Sequence, residues 1–170
     1  LVDRLRQREP ALVNSVVGDM VPMGLLHRIL QNLLRDRIPV RNLGRILETL
    51  SDQAARTKDP DVLTELVRKS LSRAITETHT DEAGRVTAIV LAPALEYELR
   101  GALTQEGQSE SLSLAPDRAM ALARQVQAAW QKAMGDGFDK AVLLTDTRLR
   151  PHLAALLSRQ MPQLPILAYD

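Results

Sequence analysis

Three histidines, His27, His79 and His152, are the only imidazoles in this chain of 170 residues, and each falls on a different segment. None is accompanied by a second histidine or a carboxylate in a metal-ligand pattern, and there is no cysteine to supply a thiolate. Glu96 and Glu98 are two apart, so on a helix they point to different sides and cannot face one substrate as an acid and base pair. Asp146 follows an apolar run and precedes a helical pattern, a place where α/β enzymes put functional groups; the plainer reading is that Asp146 or Thr147 caps that helix. Gly135-Asp136-Gly137 lacks the ligand series of a calcium loop. The glycine-rich, HExxH and GxSxG patterns that cradle phosphate, bind zinc or raise a nucleophile are missing. No catalytic constellation emerges, so no enzymatic activity, metal or cofactor is expected.

What does stand out is a run of arginines. Arg35, Arg37, Arg41 and Arg45 cluster around one short connector, in a half of the chain that carries a surplus of positive charge. Residues 1–75 hold 13 Lys/Arg against 9 Asp/Glu, while residues 76–170 hold 9 against 12. These arginines read as a protein-contacting surface, with a solvated helix face as the plain alternative. A second functional class, a winged-helix module on nucleic acid, would need a basic wing and stacking aromatics. Asp36, Glu48 and Asp52 interrupt the basic patch, and the segment that would form the wing carries Asp81 and Glu82 beside one Arg85.

The elements that position these residues are legible from periodicity. Met23, Leu26, Ile29, Leu30, Leu33 and Leu34 recur at helical spacing, and Pro39 ends that pattern. Asn42 is placed to cap a second helix with Leu43, Ile46, Leu47, Leu50 and Ala54. Asp59-Pro60 opens a third, a capping carboxylate followed by proline at the first helical position, with Leu63, Leu66, Val67, Leu71 and Ala74. Leu30, Leu47 and Leu66 are expected at the centres of three facing stripes. A short helix around Ala11 to Val17 is expected before them.

After residue 76 the period changes. Two β-branched runs, residues 75–80 and 85–92, flank Asp81-Glu82-Ala83-Gly84 and predict a hairpin. Pro93 begins a helix. Residues 104–115 read as an exposed polar loop, with Leu112 and Leu114 forming at most a short edge strand. Pro116-Asp117 opens a long helix that Gly135-Asp136-Gly137 ends. Residues 141–144 and 166–169 are short apolar strands around a helix with Leu149, Leu153, Leu156 and Leu157. A connection of that length predicts a parallel pair. Pro151 predicts an irregular first turn. The fold class is therefore α+β: a helical subdomain of three main helices at 1–75, then a small α/β subdomain with a mixed sheet at 76–170.

Composition agrees. Hydrophobic residues make up 45% of the chain but aromatics only four, Tyr97, Trp130, Phe138 and Tyr169, so the core must be aliphatic. No apolar run approaches membrane-spanning length, and the polar start without methionine suggests a piece of a longer protein.

Four phrases, LHRILQNLLRDRIPVRNLGRILETL (26–50), KDPDVLTELVRKSLSRAI (58–75), VLLTDTRLRPHLAALL (142–157) and MPQLPILAYD (161–170), together resemble the export-gate family of flagellar and type III secretion systems (FHIPEP). The last two phrases look more flagellar than virulence-type. The resemblance implies a longer protein with a membrane-spanning N-terminal part, absent here, and a cytoplasmic part at the bacterial inner membrane. This chain resembles the last two subdomains of that part. The cytoplasmic parts of the family form a ring, typically nonameric, that receives export substrates, their chaperones and components of the ATPase complex. Residues 1–75 resemble the subdomain that makes contacts between subunits, and 76–170 the terminal one. The family's main chaperone-docking surface lies in preceding subdomains, so none of its residues is carried over. Residues 104–115 match a variable segment and receive no role.

Overall fold

The computed structural model describes residues 16–18, 20–106 and 109–169. They fall into two compact units divided between Thr78 and His79.

The first unit holds α1 (Met23–Arg35), α2 (Leu43–Gln53), α3 (Pro60–Ser70) and α4 (Ser72–His79). α3 packs on both α1 and α2. Its start is the best specified in the chain: the Asp59 carboxylate accepts from the N–H of Asp61 at 2.8 Å and of Val62 at 3.1 Å, with Pro60 beside it. Asn42 occupies the N-cap of α2, but its side chain makes no capping bond. The buried arc of α1 is Leu26, Ile29 and Leu33, and that of α3 contains Leu63 and Val67. Leu47 is fully buried, whereas Leu30 and Leu66 are only half-buried. At about 100° per residue, Leu30, Met23 and Leu34 all fall on one flank of the Leu26–Ile29–Leu33 arc. The apolar stripe is therefore wider than the contact, and Met23 and Leu34 face out. The expected helix at 11–17 lies largely outside the described residues.

No hairpin follows α3. Residues 72–79 are helical, because Ile75 repeats the buried position of Leu71 one turn on and Arg73 pairs with Glu77 across another. Burial on a 3.6-residue period overrides the β-branched preference of Ile75, Thr76 and Thr78. The turn at Asp81 does form, with Oδ1 accepting from the N–H of Ala83 and Arg85. The strand after it pairs elsewhere.

That strand is β1 (Ala88–Val90). It is followed by α5 (Pro93–Gly101), β2 (Leu103–Glu106), β3 (Ser109–Leu112), α6 (Pro116–Gly135), β4 (Val142–Thr145), α7 (Arg150–Leu157) and β5 (Ile166–Ala168). β1 and β5 flank β4, both parallel to it, with Ile89, Leu143 and Ile166 in register. β2 and β3 form a separate antiparallel ribbon where a loop was expected; Leu103 pairs with Leu112, and both pack on the core of this unit. Parallel and antiparallel pairing thus occur in two sheets rather than one, within the expected α+β class. The core gathers Leu143 and Ile166 with Leu99 of α5, Leu122, Ala123 and Val126 of α6, and Leu153 and Leu157 of α7. Pro151 sits in the first turn of α7, after an irregular turn in which Leu149 and Arg150 both donate to the Asp146 carbonyl. No helix among the described residues is long and apolar enough to cross a membrane.

Candidate protein-contact site

The arginine connector is shaped by what it buries. After α1 the chain passes through Ile38 and Pro39 and turns at Val40 and Arg41, and its exposure alternates: Ile38 and Val40 are buried, Pro39 and Arg41 exposed. Leu43 then anchors the start of α2. This alternation, with the cap that ends α1, turns Arg37 and Arg41 to solvent. Neither guanidinium makes a hydrogen bond or ion pair among the described residues. Arg35 is exposed as well and reaches only the edge of Asp36, 4.0 Å away. Arg45 is different. Its Nε donates to the Ser70 carbonyl at 2.8 Å, so its head caps the C-terminal end of α3. The structure therefore brings three of the four arginines to one open connector and commits the fourth to holding α2 against α3.

Sequence reasoning missed the cation that matters most to the fold. Arg68 is buried on α3, and its Nη1 donates to Asp36 Oδ2 at 2.8 Å, with Glu65 3.8 Å from its Nε. Asp36 was counted as a break in the basic patch, yet it faces inward. Its position one turn beyond Leu33, a buried residue, was the available signal.

The second unit gathers its polar groups at the carboxyl ends of β4 and β5. Glu96 Oε1 accepts from the Asp146 N–H at 2.9 Å and from the Thr145 hydroxyl at 3.4 Å. The Tyr169 phenol also donates to Glu96, and this bond pushes the phenol up to about 12. Asp146 Oδ1 accepts from the Arg148 N–H at 2.8 Å and Oδ2 lies 3.7 Å from Arg100. Glu110 of β3 is held by Arg148 of the turn before α7, with His152 at 3.8 Å. The Arg148 hydrogen bond keeps the Glu110 carboxyl below its ordinary range, against the opposing effect of its partial burial. Glu98 turns away from Glu96 and takes a two-pronged bond from Arg118 of α6, 2.7 Å on each side. Asp146 thus caps a turn, and each of these carboxylates is occupied by donors; none is paired with a nucleophile. Among the described residues no group of His, Asp and Glu could hold a metal ion.

The arrangement presents charged side chains held in pairs. Known proteins match it over its whole length. The model of the FHIPEP family matches residues 1–170. The flagellar biosynthesis protein FlhA of Salmonella typhimurium is 39% identical over 168 residues, covering 99% of this chain and 23% of the relative. The chain thus spans about a quarter of that relative's length. Among solved structures, the CdsV and CdsO protein complex of Chlamydia pneumoniae matches with a TM-score of 0.81 at 27% identity, over 99% of this chain and 49% of that one. Nonameric SctV-C of EPEC, solved by cryo-EM, matches with a TM-score of 0.81 at 23% identity, over 99% of this chain and 50% of that one. The last likeness is one of fold.

Proposed function

The chain belongs to the FHIPEP family, and we propose that it forms part of a bacterial protein export gate, at the cytoplasmic face of the inner membrane, where it assembles and docks proteins without chemistry of its own. The observation that carries this reading is a correspondence unbroken from end to end, 39% identity to a flagellar relative over 99% of the chain. The flagellar branch is favoured over the virulence one, since identity to CdsV is 27%. A homo-oligomeric ring accords with the nonameric relative, and contact with the ATPase complex with the CdsV and CdsO pair. Export substrates and their chaperones complete the set of partners, reached together with the preceding subdomains of the longer protein. Arg35, Arg37 and Arg41 are the residues of this chain assigned to protein contact; Arg45 is held by the Ser70 carbonyl. Nucleic-acid recognition loses its structural basis, because a helix stands where the wing would be.

A chimaera tests the reading. This chain replaces the corresponding quarter of Salmonella typhimurium FlhA in cells that lack their own copy. Secretion of flagellar proteins and swimming are the readouts. Both are expected to be restored in measurable part; a membrane-inserted, protease-resistant chimaera that secretes nothing would refute the proposal.

A further inference from the structure

The segment that joins α1 to α2 sorts its side chains by charge. Arg35, Arg37, Pro39 and Arg41 are exposed, while Ile38 and Val40 between them are buried. Asp36, the one carboxylate of the segment, is drawn in to the buried Arg68, whose Nη1 lies 2.8 Å from its Oδ2, and stays only 15% exposed. Three guanidinium groups remain outside; Glu48 and Asp52, also exposed, come further along α2. Arg37 keeps its place against a backbone cost. The Ile38 N–H donates to Leu33 O and the Arg37 N–H to Leu34 O, both at 2.9 Å, the pair of bonds of a Schellman cap. Such a cap needs one residue in the left-handed region. At the end of α6 the same cap uses Gly137, with φ 89°; at the end of α1 it uses Arg37, with φ 58°. Glycine takes this conformation without steric cost, whereas a residue with a Cβ does not. Arg37 is the only non-glycine residue with positive φ among those described. A cation does favour a helix C-terminus, but Arg35 already supplies one in the last turn of α1. A strained residue whose side chain is exposed and unengaged within the described residues points to a contact outside the chain.

We infer that Arg35, Arg37 and Arg41 form the docking surface for an acidic segment of a different partner protein, one in which carboxylates flank an apolar residue. This rests on the protein-contact reading above and adds the chemistry of the partner. Charge selects the carboxylates. A guanidinium presents a planar fork that takes a carboxylate through two parallel bonds, and the forks of Arg37 and Arg41 are not taken up by any described residue. The apolar residue is called for by Leu34, which is 55% exposed and whose carbonyl holds the Arg37 N–H, and by exposed Pro39 between Arg37 and Arg41. A phosphate-bearing surface fits this face less well. Lipid-binding patches gather roughly four to eight basic residues, and single-stranded nucleic acid needs aromatic platforms. Here there are three cations, and all four aromatic residues of the chain lie in the second unit.

Fluorescence anisotropy with the full-length protein in non-ionic detergent tests the inference. The probe is a labelled peptide of repeated Glu-Glu-Leu, and its control carries glutamine for glutamate. The glutamate peptide is expected to bind at least roughly 10-fold more tightly than the control at low salt, with the gap closing as salt rises; equal binding overturns the inference. Arg37→Gln with Arg41→Gln should weaken glutamate-peptide binding roughly 10-fold, the scale of two exposed charge contacts. Arg56→Gln with Arg124→Gln removes two exposed arginines elsewhere and should leave binding as in the parent. An equal loss in both double variants would reduce the effect to net charge and overturn the site. Arg37→Gly separates binding from folding: it should weaken peptide binding while melting at or above the parent temperature, and a lower melting temperature would make Arg37 a structural residue. Phosphatidylglycerol vesicles or duplex DNA, bound more tightly than the peptide and lost with the same arginines, would overturn the choice of an acidic protein. If the chimaera secretes normally while Arg37→Gln with Arg41→Gln binds the peptide as the parent does, the docking surface is refuted and the export-gate reading stands.

Discussion

Replacing Arg68 by methionine should destabilise the helical unit far more than losing any exposed charge. The guanidinium is only 8% exposed and bonds Asp36, itself 15% exposed, at 2.8 Å. With an effective dielectric constant near 20, charges ~3–4 Å apart attract by ~4–6 kcal/mol. Dehydrating both groups offsets much of that, so the pair's net value against an apolar pair is small. A single replacement is another matter, because it strands the Asp36 carboxylate, with Glu65 near it, in a mostly dry site. Stranding a buried charge costs ~3–5 kcal/mol; the residual exposure of Asp36 reduces this to ~2–4. Asp36→Asn in the same background should recover part of the loss, giving a coupling energy of ~1 kcal/mol or more. Urea unfolding followed by far-ultraviolet circular dichroism measures all three variants. The pair Arg73 and Glu77, 93% and 62% exposed, is the control, and its removal should cost no more than ~0.5 kcal/mol. If Arg68→Met stays within that margin too, the inward ion pair is not holding α3 to the end of α1.

Truncations should separate the true centres of the helical stripes from their flanks: Leu47→Ala and Leu26→Ala, both fully buried, should cost ~2–5 kcal/mol, and Leu66→Ala, half-buried, clearly less, as measured by denaturant midpoints. Asp59→Ala removes two capping bonds at the start of α3 and should cost ~0.5–2 kcal/mol; equal stability would show that Pro60 alone sets that terminus. Glu96 raises the Tyr169 phenol to about 12 from 10.0, so the folded state favours the protonated form. That contribution is complete below pH 10.0 and is lost as pH rises through about 12. In a Tyr97→Phe background, phenolate absorbance should therefore titrate late in the folded chain, and Glu96→Gln should bring it earlier. Glu110 has the opposite sense: its lowered carboxyl stabilises above its ordinary 4.5 and ceases to as pH falls through the lower folded value. Arg148→Met should remove that acid-limb stabilisation in a pH-dependent melting series.

Where one physical signal acted alone, the sequence was readable. Asp59-Pro60, Pro93 and Pro116 each combine a fixed φ with a missing donor, and each starts a helix where expected. The two short apolar runs of the terminal unit became parallel neighbours because a helix joins them. Misreadings came where two signals competed. Ile75, Thr76 and Thr78 prefer strands as isolated residues, but burial of Leu71 and Ile75 on one helical face decided otherwise. The polar stretch 104–112 looked unstructured because the ribbon's outer face is polar; its pairing is set by Leu103 and Leu112 packing on the core. Such contacts join residues distant in sequence, and no local pattern reports them.

The arginine cluster shows the same division within a single site. Type and spacing marked four candidates, yet spacing alone cannot tell a guanidinium that binds outward from one that caps a neighbouring helix. Arg45 lies in the first turn of α2, where the end of α3 presents the Ser70 carbonyl. Arg37 lies on a cap whose geometry asks for glycine. The hint was present as Arg37-Ile38-Pro39, an apolar residue and a proline just past a helix end, the usual company of a left-handed cap. Local chemistry thus strains Arg37 while tertiary packing employs Arg45.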